Sequence, residues 1–181
     1  MTLFVLSFAA RSLAQQSDSL FIGKTFTEGE FTGMQREAAY NNRSHVGKRY
    51  PTFLVKTLAG DTLTNDSLKG KVCLLVFFYP GSNQINVDTL KSIKQHFQDL
   101  PFQIYLFTQE TSGLVNYMRE HNLHFPLCFF RTVQESWRMN FYNSIPSYVL
   151  LTQGGIVAKV TGLEGFSPEA YSEIIADLLK K

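Results

Sequence analysis

Two cysteines and four histidines are the side chains of this 181-residue chain that are best suited to redox or metal chemistry. Cys73 and Cys128 each lie inside an apolar run, Val72-Cys73-Leu74 and Leu127-Cys128-Phe129. Such surroundings favour buried, unreactive thiols. The alternative is a functional Cys73–Cys128 pair, which requires the two backbones to be adjacent with disulfide geometry.

A second combination, His121-x-x-His124-x-x-x-Cys128, has donor types that bind zinc. However, Phe125-Pro126 interrupts any helix that would align these donors, and no carboxylate completes the set. We therefore predict surface histidines followed by a buried cysteine, with no metal site. His45 and His96 look isolated in the sequence.

Ser82 is a third candidate, as a hydrolytic nucleophile with a histidine base. It follows Tyr79-Pro80-Gly81, a turn signal, but Gly81-Ser82-Asn83 lacks the flanking glycines of a nucleophile elbow. Helix capping by Ser82 or Asn83 is the favoured interpretation.

These candidates are positioned by the stretch from Lys71 to Asn86. The continuous apolar run from Val72 to Phe78 predicts a strand that is covered on both faces. After the turn, the spacing of four apolar residues predicts one buried helix face: Leu90, Ile93, Phe97 and Leu100. A strand that leads into a helix start is a common place for chemistry, because the helix N-terminus stabilises negative charge.

The rest of the chain predicts an α/β fold with a parallel sheet core. A hairpin is predicted around Ala59-Gly60-Asp61. The later predicted elements are a strand at 102–108, a helix at 113–120, a short apolar segment at 125–130, a helix at 133–141, and a hairpin of strands at 147–152 and 156–161. The last predicted element is a helix that begins at Pro168, with Ser167 as its N-cap. Its predicted buried stripe is Ile174, Ile175, Leu178 and Leu179.

Composition favours one folded domain and excludes some partners. Hydrophobic residues make up 44% of the chain and charged residues 18%, as in ordinary globular proteins. The net charge of +2 and the lack of a basic stripe argue against a nucleic-acid partner.

Residues 1–14 resemble a signal peptide. Leu3 to Ala10 is a short apolar run, and Ser12-Leu13-Ala14 predicts cleavage before Gln15. The run is shorter than the roughly 20 residues of a membrane span. A lipid anchor is not predicted either, because the cleavage point has no cysteine. No Lys or Arg precedes the run, so an atypical leader, a misassigned start and a buried strand remain alternatives. We predict a periplasmic or secreted protein with an extension at 15–46, of no assigned role, and a domain at 47–181.

From Gly47 onwards, several segments in order resemble the thioredoxin-like superfamily, of the AhpC/TSA and TlpA type. The resemblance rests on the segments Gly47-Lys48-Arg49-Tyr50-Pro51-Thr52-Phe53, Leu58-Ala59-Gly60-Asp61, Leu68-Lys69-Gly70-Lys71 with the strand that follows, and Ser144-Ile145-Pro146-Ser147 before Gly154-Gly155. It implies a central mixed β-sheet flanked by helices, an N-terminal extension, and a cis-proline at Pro146.

The same resemblance places the family's reactive cysteines at the turn after the central strand, where a helix N-terminus lowers the thiol pKa. One alignment puts Ser82 and Ile85 at the Cys-x-x-Cys positions. Another puts Gln84 at a peroxiredoxin threonine and Val87 at the peroxidatic cysteine. Neither has a thiol, and a serine hydroxyl does not support disulfide exchange. We therefore predict no catalytic residue.

What the resemblance still implies is a groove that binds an extended peptide through backbone hydrogen bonds. The positions carried over are Ser82, Asn83, Ile145 and Pro146, while Tyr79, Phe141 and Tyr142 are either groove or core residues. The predicted function is an exported, non-catalytic binding or accessory protein for a peptide or partner protein, without a cofactor. The alternatives are a thiol-disulfide oxidoreductase or peroxidase that uses Cys73 or Cys128, and a purely structural domain.

Overall fold

The computed structural model describes residues 44–79, 85–108, 113–130, 132–141, 145–162 and 166–180, apart from the side chains at positions 133 and 137. The predicted leader and most of the predicted extension lie outside this range. The described strands are β1 (Leu54–Thr57), β2 (Thr62–Thr64), β3 (Val72–Phe77), β4 (Phe102–Thr108), β5 (Leu127–Phe129), β6 (Ser147–Leu151) and β7 (Val157–Gly162). The described helices are α1 (Asn65–Leu68), α2 (Val87–His96), α3 (Leu114–Glu120), α4 (Val133–Met139) and α5 (Pro168–Leu179).

The described strands form one mixed sheet in the order β2-β1-β5-β4-β3-β6-β7. The three central strands β5, β4 and β3 run parallel, and every other neighbouring pair is antiparallel. This confirms the predicted parallel pair at 72–78 and 102–108, and both predicted hairpins. Gly155 has a φ of +73° in the β6–β7 turn, a conformation that glycine adopts without steric cost.

Strand β3 is buried over its whole length, because helices or loops cover both faces of the sheet. On one face, which we call face one, its alternate residues pack against α2, α3 and α5. On the opposite face, face two, the other residues of β3 pack against α1, α4 and the segment with Tyr50 and Phe53. Burial on both sides explains the unbroken apolar sequence of β3.

Helix α2 begins later than the sequence predicted. Its N-cap is Asn86, whose side chain accepts a hydrogen bond of 3.0 Å from the Thr89 backbone N–H. The prediction that Ser82 or Asn83 caps this helix is therefore wrong. The prediction of a buried Leu100 is also wrong, since Leu100 is 48% exposed. The helix ends at His96, so the helical period no longer applies there.

Helix α5 confirms its predicted start, because the Ser167 side chain accepts from the Ala170 backbone N–H and Pro168 occupies the first turn. Its fully buried residues are Tyr171 and Ile175, while the other three residues of the predicted stripe are only partly buried. Sequence periodicity missed Tyr171, whose hydroxyl lies 2.7 Å from Thr161 Oγ1. No helix in the described part of the chain is long and apolar enough to span a membrane.

Candidate functional site

The end of β3 and the start of β6 meet at one edge of the sheet. Strand register pairs Phe77, the last residue of β3, with Ser147, the first residue of β6. Pro146, which precedes Ser147, therefore lies close to Phe78, which follows Phe77. The Ile145–Pro146 peptide bond is cis, as the resemblance implied.

The structure describes only part of the predicted peptide-binding set. Ile145 is half-buried and packs against the core on both faces of the sheet, and Pro146 is buried. Ser82 and Asn83 lie outside the described residues, as do Gln84 and Tyr142. Ile85, which the resemblance puts at a family cysteine position, is buried in the face-one core. Val87, at the alternative position, is the first residue of α2.

The Ile85 environment bears on thiol chemistry at this edge. A reactive cysteine needs a helix N-terminus or a nearby cation that stabilises its thiolate. Ile85 precedes the N-cap Asn86 and is only 5% exposed, in an apolar cluster. Position 85 is therefore occupied by a residue that contributes to folding and has no ionisable group.

The two native cysteines are both free, and neither is exposed. Cys73 on β3 and Cys128 on β5 flank β4, where they pair with Gln103 and Phe107. Four residues along β4 and two strand spacings separate their Cα atoms by about 16 Å. A disulfide spans roughly 4–7 Å, so the alternative of a Cys73–Cys128 pair is excluded.

Burial also suppresses the acidity of both thiols. It raises the pKa of Cys73 from 9.0 to about 12, against a small opposing effect of Lys71. Burial likewise raises the pKa of Cys128 from 9.0 to about 12. The thiolate is the nucleophile in disulfide exchange, so at neutral pH both groups are protonated and inert. Cys73 also lies near the start of β3, at the end of the strand away from Ile145.

The histidines near Cys128 are not arranged as ligands. His124 Nε2 lies 2.9 Å from Asn122 Oδ1, and the His121 ring packs at 4.4 Å from the Tyr117 ring. Cys128 is buried within β5. Within the described ranges, no group of three His, Cys, Asp or Glu side chains is placed to hold a metal ion.

A groove of about 770 Å³ lies elsewhere on the molecule, on face two. Its lining includes the buried residues Tyr50 and Leu151 and the exposed residue Arg138. Leu151 ends β6, so the groove is displaced towards the end of the sheet away from Pro146. Its charged side chains are partly engaged within the fold: Arg138 Nη2 donates to the Thr52 carbonyl at 2.9 Å, and Lys69 pairs with Asp66 at 2.6 Å.

One aromatic contact, between His45 and Phe141, has no signal in the sequence. The His45 ring stacks on the Phe141 ring, with centroids 4.1 Å apart and an interplanar angle of 18°. Phe141 is 4% exposed and belongs to the face-two core, so its core interpretation is the correct one. The contact joins residues 96 positions apart, and neither position has a local sequence signal.

Comparison with known proteins gives a likeness in structure alone. No protein-family model matches the chain, and no curated protein matches its sequence. The thioredoxin domain of a thiol-disulfide oxidoreductase from Bacteroides vulgatus superposes with a TM-score of 0.64 at 15% identity, and the match covers 74% of this chain and 97% of that one.

Two thiol:disulfide interchange proteins are similar to the same extent. The protein from a Bacteroides species gives a TM-score of 0.62 at 15% identity and covers 75% of this chain and 91% of its own. The protein from Chlorobium tepidum gives a TM-score of 0.59 at 20% identity, and the match covers 72% of this chain and 95% of that one. The chain thus has the thioredoxin fold that these oxidoreductases share, but its two cysteines do not form a Cys-x-x-Cys pair.

Proposed function

We propose that this thioredoxin-fold chain is a non-catalytic binding protein that holds an extended peptide, or an extended segment of a partner protein, at Ser82, Asn83, Ile145 and Pro146. The observation that carries the proposal is the pairing of Phe77 with Ser147. It supports the proposal because it brings Pro146 to the end of β3, from which the chain continues towards Ser82 and Asn83. We infer that an extended peptide bound at Ile145 and Pro146 would be recognised through its backbone.

The state of the cysteines favours binding over redox catalysis. The residues at the family's cysteine positions carry no thiol. Both native thiols are fully buried, and burial raises the pKa of each to about 12. An oxidoreductase that used Cys73 or Cys128 would have to open the core before every turnover.

Site-directed cross-linking tests the proposed binding edge. In an Ile145→Cys variant, a benzophenone maleimide should label the introduced thiol at position 145, because both native thiols are buried. Leu100→Cys is the matched control, because Leu100 precedes β4 at the opposite end of the sheet and is 48% exposed. After irradiation with a library of random-sequence peptides, we expect cross-linked peptides from position 145 and few from position 100.

The competing outcomes are distinct in this experiment. Equal capture at both positions would mean non-specific contact and would contradict the binding edge. No capture at either position would favour the third alternative, a structural domain without a peptide ligand. Mass spectrometry of the labelled variants before irradiation verifies that each carries a single label at the introduced cysteine.

We further propose that the protein is exported and that residues 1–14 are removed, leaving an extension at 15–46 before the domain at 47–181. The support is the apolar run from Leu3 to Ala10 and the small residues Ser12 and Ala14. Intact-mass measurement of the protein from its host should give an N-terminus at Gln15. A mature protein that retains Met1 would contradict both export by this route and the proposed boundary.

A further inference from the structure

The face-two groove has the size and the apolar lining of a small-molecule site. Its volume of about 770 Å³ lies within the range of ligand pockets. Leu54 lines it and is 45% exposed, so it presents apolar surface that a ligand can still remove from water. The lining also includes four buried side chains, which we call the groove floor: Tyr50, Phe53, Leu68 and Leu151.

Hydrogen bonds from two helices fix one wall of the groove, the segment at 50–53. The Asn65 side chain on α1 accepts a 2.9 Å hydrogen bond from the Phe53 backbone N–H. From α4, Arg138 Nη2 donates to the Thr52 carbonyl at 2.9 Å. The wall is therefore held in place without a ligand, and binding requires little reorganisation.

The charges that line the groove favour a ligand with a single negative charge. The lining contains three cations and two carboxylates, which leave a net charge of +1: Arg49, Lys69, Arg138, Asp66 and Glu135. Lys69 pairs with Asp66 at 2.6 Å, so these two charges largely cancel. Two guanidinium groups then stand against one carboxylate. This balance matches a carboxylate ligand better than a phosphate dianion.

Arg49 is the cation best placed to bind such a ligand. Its backbone is held by a bridge to Ile156, while its side chain is exposed. Among the described residues, no carboxylate forms an ion pair with it. Arg138 has N–H donors beyond the one that Thr52 uses, because a guanidinium carries five. Guanidinium groups bind carboxylates through charge-assisted hydrogen bonds, often two at a time.

We propose that the face-two groove binds a small carboxylic acid with an apolar body. Arg49 holds the carboxylate, Arg138 adds positive charge, and the apolar body lies against Leu54 and the groove floor. The groove is displaced from Pro146 towards the other end of the sheet, so this site is separate from the peptide-binding edge. Either proposal can fail while the other stands.

Solution NMR of the full chain tests the site with a matched pair of probes. Hydrocinnamate carries a carboxylate on an apolar body, and hydrocinnamamide has the same body without the charge. We expect hydrocinnamate to shift the backbone amide signals of three residues that line the groove: Lys69, Gly154 and Gly155. The shifts should saturate with a dissociation constant in the millimolar range, as expected for so small a ligand. Hydrocinnamamide should bind about fivefold more weakly or less.

Two arginine variants locate the carboxylate. Arg49→Gln removes the charge without breaking a described side-chain contact, and it should weaken hydrocinnamate binding about three- to tenfold. Arg119→Gln is the matched control, because Arg119 is an exposed arginine on α3, which packs on face one. It should leave the affinity unchanged.

Three results would overturn the proposal. They are the absence of saturable shifts at the groove, equal affinity for hydrocinnamate and hydrocinnamamide, and equal affinity in Arg49→Gln and Arg119→Gln. The comparison of the two probes needs only the wild-type protein. It therefore decides the question if either variant fails to fold.

Discussion

Replacing Phe107 by alanine is expected to lower the free energy of unfolding by about 3–5 kcal/mol. Phe107 is completely buried at the centre of the face-two core. Its ring stacks on Phe77 at 5.1 Å and on Phe130 at 5.5 Å, and meets Phe53 edge-on at 6.3 Å. Truncation removes the buried area of one ring, leaves a cavity and breaks all three aromatic contacts.

The loss would be a large fraction of the stability of an ordinary domain, which is about 5–15 kcal/mol. Chemical denaturation followed by circular dichroism measures it, with Val115→Ala as the control. Val115 is 51% exposed on α3, so its truncation should change stability by less than about 0.5 kcal/mol. If the free energy of unfolding of Phe107→Ala lies within about 1 kcal/mol of the wild-type value, this aromatic stack does not stabilise the sheet.

The sequence predicted the sheet well because its signals are local. The unbroken apolar run of β3 follows directly from burial on both faces, and Gly60 and Gly155 mark hairpin turns through their positive φ. The errors came where tertiary packing decides. Leu100 fits the helical period of α2 but lies beyond its end, and Tyr171 is buried because Phe166, Tyr148 and Lys159 surround it from other elements.

The candidate site was predicted less completely, for a related reason. The resemblance implied a cis-proline at Pro146, and the structure confirms the cis peptide bond between Ile145 and Pro146. The contact of His45 with Phe141 joins two distant segments, and no local sequence pattern near either residue predicts it. The Asn86 cap was missed because three side chains near the turn, at 82, 83 and 86, have equal capping propensity.

A thioredoxin fold without its thiols is physically reasonable, because the fold does not depend on them. The stacked rings of face two and the apolar residues of β3 supply the core of the sheet. Ile85, which the resemblance puts at a family cysteine position, adds an apolar side chain to the face-one core. A scaffold of this kind without redox thiols is compatible with the binding function that we propose.

Raising the pH above 9 is expected to destabilise the protein steeply, and its two buried thiols should contribute a measurable part of the loss. Burial raises the pKa of Cys73 and of Cys128 from 9.0 to about 12 in the folded chain. Each thiol therefore adds stability that is complete below pH 9 and is lost as the pH rises towards 12. At about 1.4 kcal/mol for each pKa unit, the loss per thiol reaches about 4 kcal/mol at most.

The Cys73→Ala/Cys128→Ala double variant separates the thiols from the other groups. Burial also raises the pKa of Tyr105 and Tyr148 to about 12 and shifts the pKa of three further tyrosines upwards: Tyr50, Tyr117 and Tyr171. All five tyrosines are present in both proteins. We expect the double variant to be less stable than wild type at neutral pH, because core sulfur is lost, but to lose less stability between pH 9 and pH 11. Denaturation curves at a series of pH values measure both effects.

The same pair of proteins decides between binding and redox catalysis. If the thiols are buried acids, wild type and double variant should leave the dithiothreitol-driven reduction of insulin equally slow, because neither offers a thiolate at neutral pH. If wild type reduces insulin faster than the double variant, or if both proteins lose stability equally above pH 9, then a thiol ionises in the folded protein. In that case the oxidoreductase alternative would replace the binding function proposed for this fold.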